Sequence, residues 1–393
     1  MNRTGTYAHY QNRIYEDGMR GRRPALPIKI EDLEALARET ISPEAYHYIA
    51  GGAGSESTLR SNLQAFERWR IVPRMLRDVS QRDLSVDLLG ARLPVPVLLA
   101  PIGVQTIAHP EGDLAVARAA GSLGVPLIYS TASTFTPEQV AAASGDGPRW
   151  YQLYWPRDRE LTRNFLRRAE AAGYSVLVVT LDTRVLAWRE RDLASGYLPM
   201  FKGEGIGFYL SDPVFCSRLA ASPEDDPQAA IRAWAEGFSD LSQTWDDLAY
   251  LRECTSMPLV LKGILHPDDA VTAVRVGVDG IIVSNHGGRQ VDGAIASLDA
   301  LPAVVDAVGG QIPVLFDSGI RRGADILKAL ALGARAVLVG RPYMWGLATG
   351  GEEGVREVLN RLFADFDLTM ALSGYKNLPE LNRSALLVGE RGT

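Results

Sequence analysis

The chain has 393 residues, of which 46% are hydrophobic, and its 41 basic and 47 acidic residues give a formal charge of −6. This length is enough for a full core, and the mixed charge provides no basic surface of the kind that binds nucleic acid. No run approaches about 18 consecutive apolar residues, and residues 1–23 lack the apolar core of a signal peptide, which argues against a membrane partner. Cys216 and Cys254 are far apart and lack metal-ligand spacing, so we expect neither a disulfide framework nor a metal site. These features favour a cytoplasmic enzyme.

Eight short apolar segments follow the N-terminal region, and most are followed by a segment of helical periodicity. They are rich in Val, Leu and Ile with little alternation, as is typical of strands that are buried on both faces of a parallel sheet. The predicted strands are Val95–Ala100, Val125–Ser130, Trp150–Tyr154, Val176–Leu181, Pro258–Lys262, Gly280–Ser284, Pro313–Asp317 and Ala336–Gly340.

Predicted helices separate these strands, because apolar residues recur there at spacings of three and four. Examples are Glu111–Ser122, Asp158–Ala172, His266–Val276 and Gly323–Leu332. Alternating strands and helices predict parallel pairing with right-handed crossovers, and eight such units predict an α/β fold of the closed (β/α)8 TIM-barrel type. An open doubly wound sheet is the alternative, although no early strand carries the GxGxxG turn typical of that fold.

The remaining segments are interpreted as parts of one domain that spans residues 1–393. Residues 1–94 are a predicted N-terminal helical extension and 95–345 the barrel, while 346–393 are predicted to form closing helices. Residues 183–257 separate the fourth and fifth strands by about 75 residues, which is far above a usual βα connection. We therefore predict that this insertion is an active-site lid.

Polar residues stand at the carboxyl ends of nearly all the predicted strands, where barrel enzymes carry their active sites. Burying such groups unpaired costs several kcal/mol, roughly, so their convergence on one rim requires a polar ligand. The strand-end residues are Pro101, Ile102, Gly103, Ser130, Gln152, Tyr154, Thr180, Asp182, Lys262, Ser284, His286, Asp317, Gly319, Arg321, Gly340 and Arg341.

The turns after the last two strands resemble a phosphate clamp. Gly319 and Gly340 allow backbone N–H groups to approach an anion, and Arg321 and Arg341 add charge-assisted contacts. The corresponding loops are the usual phosphate site of barrel enzymes. The simpler interpretation is that these glycines only turn the chain.

Lys262 and His286 are the candidate chemical groups. Lys262 is suited either to a Schiff base or to supporting an electron-rich cofactor, and a structural role is also open. His286 lies between a strand end and a Gly-Gly turn, with Arg289 three residues later, so that Arg289 can bind a carboxylate while His286 takes a proton. Asp182 is the acid at a strand end that is placed to orient the imidazole. A structural core histidine is the alternative.

Three runs carry a family resemblance: Ser284-Asn-His-Gly-Gly-Arg-Gln290, Asp317-Ser-Gly-Ile-Arg-Arg-Gly323 and Tyr151-Gln-Leu-Tyr154. From about Tyr46 to the C-terminus, the chain resembles the FMN-dependent 2-hydroxy acid oxidases and dehydrogenases. Within that family it resembles the lactate 2-monooxygenases most. This narrower resemblance is carried by residues 212–215, 188–192 and 340–346 and by Gly103, where many members have alanine.

The resemblance implies a role for each matching position. His286 is the implied base, with Asp182 as its partner and Lys262 as a support for the cofactor. Tyr154 is implied to bond the substrate hydroxyl, while Tyr48, Arg189 and Arg289 bind its carboxylate. FMN would be held by Pro101, Ile102, Gly103, Ser130, Gln152, Thr180, Lys262, Ser284, Asp317, Gly319, Arg321, Gly340 and Arg341.

The implied reaction is oxidation of a small L-2-hydroxy acid, with L-lactate as the expected substrate and oxygen as the acceptor. His286 accepts the hydroxyl proton, and the α-hydrogen passes with its electrons to N5 of the flavin. If pyruvate stays bound and reacts further, the products are acetate, carbon dioxide and water. A simple oxidase releases the 2-oxo acid and hydrogen peroxide, and a dehydrogenase uses another acceptor. Assembly as a homotetramer or homooctamer is also implied.

Three other functions share part of this pattern. IMP dehydrogenases have a similar phosphate turn, but neither Cys216 nor Cys254 sits in the Gly-Ser-x-Cys setting of their nucleophile. FMN-binding isomerases lack the pairing of His286 with Arg289. A barrel that only binds a ligand is the third alternative, against which the intact histidine, lysine and arginine set argues.

Overall fold

A computed structural model of the chain describes residues 7–389 and contains twelve strands in that range. Eight of them form a closed, fully parallel barrel in the order β10-β11-β4-β5-β6-β7-β8-β9. The strands are β1 (Trp69–Ile71), β2 (Val86–Leu88), β3 (Ala91–Leu93), β4 (Val97–Leu99), β5 (Leu127–Ser130), β6 (Arg149–Leu153), β7 (Leu177–Thr180), β8 (Leu259–Ile264), β9 (Gly280–Val283), β10 (Val314–Phe316), β11 (Ala336–Val339) and β12 (Leu386–Val388).

The eight predicted strands are therefore the barrel strands β4–β11, and the predicted TIM barrel is confirmed. Each is buried along nearly its whole length, which is why the sequence shows continuous apolar runs rather than alternation. Every neighbouring pair is hydrogen-bonded, including β4 with β11, so the sheet has no free edge. The open-sheet alternative is excluded.

Sixteen α-helices lie within the described residues, and those that follow barrel strands cover the outside of the barrel. They are α1 (His9–Met19), α2 (Ile30–Thr40), α3 (Pro43–Ala50), α4 (Ser57–Glu67), α5 (Gly112–Leu123), α6 (Pro137–Ser144), α7 (Arg159–Ala171), α8 (Glu190–Ser195), α9 (Gly207–Leu210), α10 (Pro213–Cys216), α11 (Pro227–Gly237), α12 (Leu248–Cys254), α13 (Pro267–Arg275), α14 (Ser297–Val308), α15 (Gly323–Ala331) and α16 (Arg341–Leu372). Of the helices in residues 7–389, none is both long and apolar enough to cross a membrane.

The interior of the barrel is filled by a separate apolar cluster. It contains inward-facing residues such as Ile128, Val178 and Leu338 together with Val86 and Leu93 of the β2–β3 hairpin. The hairpin precedes the first barrel strand and packs against the interior residues, so it closes the amino end of the barrel. The carboxyl end is left for a ligand.

Two parts of the predicted organisation differ from the structure. The segment before residue 95 is not purely helical, since it also contributes β1, β2 and β3. The segment after residue 346 is not purely helical either, because it ends in β12, which pairs antiparallel with β1. The pairing of β1 with β12 joins chain segments that are distant in sequence, so no local pattern predicts it, whereas β2 and β3 form a local hairpin. The helix that closes the barrel begins at Arg341 and runs past the predicted boundary at 345.

Candidate active site

A cavity opens at the carboxyl end of the barrel, and fourteen of the predicted site residues line it. Residues after seven of the eight strands, the N-terminal extension and the insertion all contribute to its wall. The predicted residues in the lining are Tyr48, Pro101, Ile102, Gly103, Tyr154, Arg189, Lys262, His286, Arg289, Asp317, Gly319, Arg321, Gly340 and Arg341. The other five, Ser130, Gln152, Thr180, Asp182 and Ser284, lie outside this lining.

His286 is held by a carboxylate on one side of its ring. Its Nδ1 lies 2.7 Å from Oδ1 of Asp182 and 3.2 Å from Oγ1 of Thr183. If Nδ1–H donates to Asp182, the lone pair of Nε2 is free to accept a proton. The residue adopts a left-handed backbone conformation, with φ of +58°, and its N–H donates to Oγ of Ser284. The turn therefore aims the imidazole as a proton acceptor.

The charges around His286 determine its protonation. Burial lowers the pKa of His286, and the nearby cation of Lys262 lowers it further, while Asp182 opposes both effects. Burial alone would raise the pKa of Asp182, but His286, Lys262 and the hydrogen bonds outweigh it and lower that pKa to about 2. At neutral pH the pair therefore consists of a neutral imidazole and a carboxylate, as a general base requires.

Lys262 is almost fully buried and is held in a polar network. Its Nζ lies 3.1 Å from Oγ of Ser284 and 3.3 Å from Oδ2 of Asp317, and Ser284 also donates to Asp317 at 2.9 Å. Burial lowers the pKa of Lys262, but Asp182 and Asp317 outweigh it, so the net shift is upward. The lysine is therefore a permanent cation in the cavity wall, which argues against the Schiff-base interpretation.

Three of the residues outside the lining form one hydrogen-bonded row across β5, β6 and β7. Ser130 donates to Oε1 of Gln152 at 3.1 Å, and Nε2 of Gln152 donates to Oγ1 of Thr180 at 2.9 Å. All three are buried. The row fixes the amide of Gln152 directly beneath the rim of the barrel.

Arg321 and Arg341 stand at the two closing turns, as predicted. Gly319 has φ of +101°, and a Cβ there would lie 2.7 Å from the carbonyl oxygen of Asn62, so only glycine fits. Arg341 is the first residue of α16, whose N-cap, Gly340, provides no side-chain cap. The uncapped N–H groups and the two guanidinium groups together form an anion cradle.

Arg289 and Arg341 are both anchored by the carboxyl end of α3. Arg289 donates to the carbonyl oxygens of Tyr48 and Gly51, and Arg341 donates to those of Ile49, Gly51 and Gly287 at 2.9–3.0 Å. Burial lowers the pKa of Arg289 to about 10 and that of Arg341 to about 9, so both remain cations at neutral pH.

No carboxylate within residues 7–389 forms an ion pair with Arg289, Arg321 or Arg341. Burial lowers the pKa of Arg321 as well, and all three guanidinium groups line the cavity. Cations that are partly buried without a counter-charge are costly unless a ligand supplies one. The cavity is therefore built for anionic groups at both of its ends.

Arg189, a further predicted carboxylate ligand, is more buried than the other three arginines and, unlike them, lies near a carboxylate, 3.8 Å from Oδ2 of Asp192. It donates to the carbonyl oxygen of Arg289 at 3.1 Å and to Oε1 of Gln290 at 2.9 Å, and it is only 7% exposed. Nε2 of Gln290 in turn donates to the backbone oxygen of Asp182 at 2.6 Å. Gln290 thus connects the insertion to the acid behind His286, a role that was not predicted from the sequence.

The cavity residues that were not assigned from the sequence include Thr183, Leu186 and Phe238. Thr183 contacts His286 and Asp182, and its position directly after Asp182 was the available signal. Leu186 and Phe238 come from the insertion and were not identifiable, because loop conformation decides which of its residues reach the cavity.

Comparisons with known proteins agree with this site. Residues 37–388 match the family model described as FMN-dependent dehydrogenase. The chain is 47% identical over 384 residues to the FMN-dependent alpha-hydroxy acid dehydrogenase qulF of Penicillium citrinum, covering 97% of this chain and 96% of that protein. It is 45% identical to an L-lactate oxidase of Lysinibacillus sphaericus over 92% and 93% of the two chains. A mandelate oxidase structure with (S)-4-hydroxymandelic acid is 40% identical, with a TM-score of 0.82 over 92% and 99% of the chains.

The chain therefore belongs to the FMN-dependent dehydrogenase family, and its cofactor is FMN. The described residues fit this group, since the anion cradle matches a phosphate and the buried cation of Lys262 matches an electron-accepting ring.

Replacing Arg321 by methionine tests the cradle. Loss of charge-assisted hydrogen bonds worth about 1.5–3 kcal/mol should raise the Kd of FMN about 10- to 100-fold, as measured by quenching of FMN fluorescence on titration with apoprotein. The matched control is Arg322→Met, because Arg322 is exposed and pairs with Glu31. Equal FMN affinity in both variants would contradict an anion cradle at Arg321.

Proposed function

We propose that this chain oxidises small L-2-hydroxy acids, with L-lactate as substrate and oxygen as acceptor. One observation carries this proposal: a neutral imidazole backed by a carboxylate faces the same cavity as three arginines that have no acidic partner. Such a cavity suits a molecule with a carboxylate to be bound and a hydroxyl to be deprotonated. The relatives named L-lactate oxidase and 2-hydroxyacid oxidase support this substrate class.

The carboxylate of the substrate is bound, we propose, by Arg289 with Arg189 and the hydroxyl of Tyr48. The guanidinium carbons of Arg289 and Arg189 lie 5.0 and 6.0 Å from the centre of the Tyr48 ring, so the three groups form one wall. Tyr154 stands nearby as a hydrogen-bonding group for the substrate hydroxyl. Burial raises the pKa of Tyr154 to about 12, so the phenol keeps its proton and can donate.

Deprotonation of the substrate hydroxyl is the task of His286 in this proposal. Nε2 accepts the proton, and the imidazolium that forms is stabilised by Asp182 across the 2.7 Å contact. When bound, FMN supplies the acceptor for the two electrons that leave the α-carbon. Lys262 would supply a fixed positive charge to bound FMN, and Gln152, held by the row from Ser130 to Thr180, would supply it with a hydrogen-bonding amide.

For L-lactate we propose oxidative decarboxylation, in which lactate and oxygen yield acetate, carbon dioxide and water. The support is the resemblance to lactate 2-monooxygenases, including Gly103. Ala132 packs so closely here that a Cβ at residue 103 would lie 2.7 Å from the Ala132 Cβ. A larger residue at 103 would thus displace the wall of the cavity. Cytoplasmic location and assembly into a homotetramer or homooctamer stay predictions.

Simple oxidation is the second candidate, and the names of two relatives, both L-lactate oxidases, favour it. The two outcomes differ in products. We expect aerobic turnover of L-lactate to yield acetate and carbon dioxide in equal amounts, with little free peroxide. Pyruvate and hydrogen peroxide formed in stoichiometric amounts would contradict monooxygenation and establish the oxidase.

Replacement of His286 by alanine should leave FMN bound but slow its reduction by L-lactate by about 10²- to 10⁴-fold, because the hydroxyl loses its base. Anaerobic stopped-flow absorbance of the flavin measures this rate. His266→Ala is the control, since His266 is an exposed residue that caps α13. Rapid reduction of the His286→Ala variant would refute the base assignment.

The pH profile tests the partnership with Asp182. In the wild type, kcat/KM should fall at acidic pH, where His286 becomes protonated. Because the pKa of His286 is lowered, this fall should come at a lower pH than for an ordinary imidazole. Asp182→Asn removes the charge that raises the pKa of His286, so the acidic limb should move to lower pH while the plateau rate falls. Asp87→Asn is the control, because Asp87 is exposed in the hairpin at the opposite end of the barrel. An unmoved acidic limb in Asp182→Asn would contradict the partnership.

A further inference from the structure

A second cavity adjoins the substrate cavity, and we call it the side chamber. The two cavities share Tyr154, Thr183 and Phe238, which form the wall between them. The other lining residues of the side chamber include Trp155, Leu181, Gln243, Trp245, Leu248 and Ile264. Its volume of about 420 Å³ falls within the range of roughly 300–1,000 Å³ found for small-molecule sites. The mechanism proposed above does not use it.

Apolar side chains line the depth of the side chamber. Trp155, Leu248 and Ile264 are each less than 10% exposed, so a ligand on that side of the side chamber would contact carbon atoms. Polar side chains also line it, among them Arg184, Asp240 and Asp269, and the guanidinium of Arg184 donates to the backbone oxygens of Leu241 and Gln243. The side chamber therefore suits an uncharged apolar group rather than a second anion.

Phe238 is the aromatic residue that the insertion contributes to the shared wall. It follows the last residue of α11 in the insertion and is half-buried, and its ring centre lies 5.2 Å from that of Tyr154 and 5.3 Å from that of Trp234. Tyr154 is positioned by the barrel rim, and Thr183 directly follows Asp182. Of the three shared residues, Phe238 is therefore the one that neither the barrel rim nor the acid behind His286 positions.

The four substituents of the substrate α-carbon indicate which group would enter the side chamber. In the binding mode proposed above, the carboxylate would face the arginines, the hydroxyl would face His286 and Tyr154, and the α-hydrogen would face FMN. The fourth substituent, the carbon side chain of the substrate, must face the remaining wall, which consists of Ala132, Leu186, Met200 and Phe238. For lactate this substituent is one methyl group, but a longer chain would meet Phe238 and the side chamber beyond it.

We infer that the side chamber receives the distal carbons of L-2-hydroxy acids with unbranched aliphatic side chains longer than that of lactate, and that Phe238 sets the accepted length. This inference rests on the proposed oxidation of L-2-hydroxy acids and adds a substrate class to it. No further chemistry is required, since the α-carbon reacts in the same position for every chain length.

The test compares L-lactate with L-2-hydroxyhexanoate as reductants of the FMN-loaded enzyme under anaerobic conditions. Phe238→Ala should raise the ratio of kred/Kd for L-2-hydroxyhexanoate over L-lactate about 15-fold. This is the effect expected if roughly two further methylene groups become buried. Phe238→Trp should lower the same ratio. Leu241→Ala is the matched control, because Leu241 is exposed in the same loop and lines neither cavity.

A double variant tests whether the additional carbons of L-2-hydroxyhexanoate lie in the side chamber. Gln243 makes no side-chain hydrogen bond within the described residues, and its replacement by tryptophan fills the side chamber without reaching the substrate cavity. Relative to Phe238→Ala alone, the double variant Phe238→Ala with Gln243→Trp should return the ratio of kred/Kd for L-2-hydroxyhexanoate over L-lactate to the wild-type value. The inference would be overturned if Phe238→Ala changed kred/Kd equally for both substrates. It would also be overturned if the gain for L-2-hydroxyhexanoate persisted after Gln243→Trp was added. Failure of L-lactate to reduce the wild type would instead overturn the proposed function.

Discussion

The site depends on three guanidinium groups that the described part of the chain leaves without carboxylate partners. Arg289, Arg321 and Arg341 line one cavity, and burial lowers the pKa of each without removing its charge. Folding these cations into a barrel mouth is unfavourable unless anions arrive. FMN brings a phosphate, and a hydroxy acid brings a carboxylate. Binding of cofactor and substrate is therefore coupled to an electrostatic requirement that the fold itself creates.

The N-terminal extension holds two of these cations until the anions bind. The last carbonyl groups of α3 and its cap accept hydrogen bonds from Arg289 and Arg341, and a helix carries partial negative charge at that end. Gly51 accepts from both arginines, so the proposed carboxylate and phosphate ligands share one backbone group. The neighbouring loop is tied to the turn after β9, since Asp292 accepts hydrogen bonds from Ser55 and Ser57. The extension is thereby part of the site.

The barrel and most of its rim were predictable from the sequence because both follow from local patterns. Continuous apolar runs identified the strands, and the fold places whatever follows each run at one end of the barrel. Lys262 and His286 were found in this way. The pairing of β1 with β12 and the contribution of Phe238 were not, because they depend on contacts between distant segments. The distinction between cavity-lining residues and supporting residues such as Ser284 and Gln152 also required the packed structure.

A crystal structure of the enzyme with FMN and a bound 2-oxo acid would test this electrostatic constraint most directly. We expect the FMN phosphate at Arg321 and Arg341 and the carboxylate of the 2-oxo acid at Arg289, with charge-assisted N–O distances of about 2.7–2.9 Å. His286 should face the oxo oxygen while it keeps its contact with Asp182. The constraint would be contradicted if the phosphate bound away from both closing turns and the guanidinium groups kept hydrogen bonds to backbone carbonyls only.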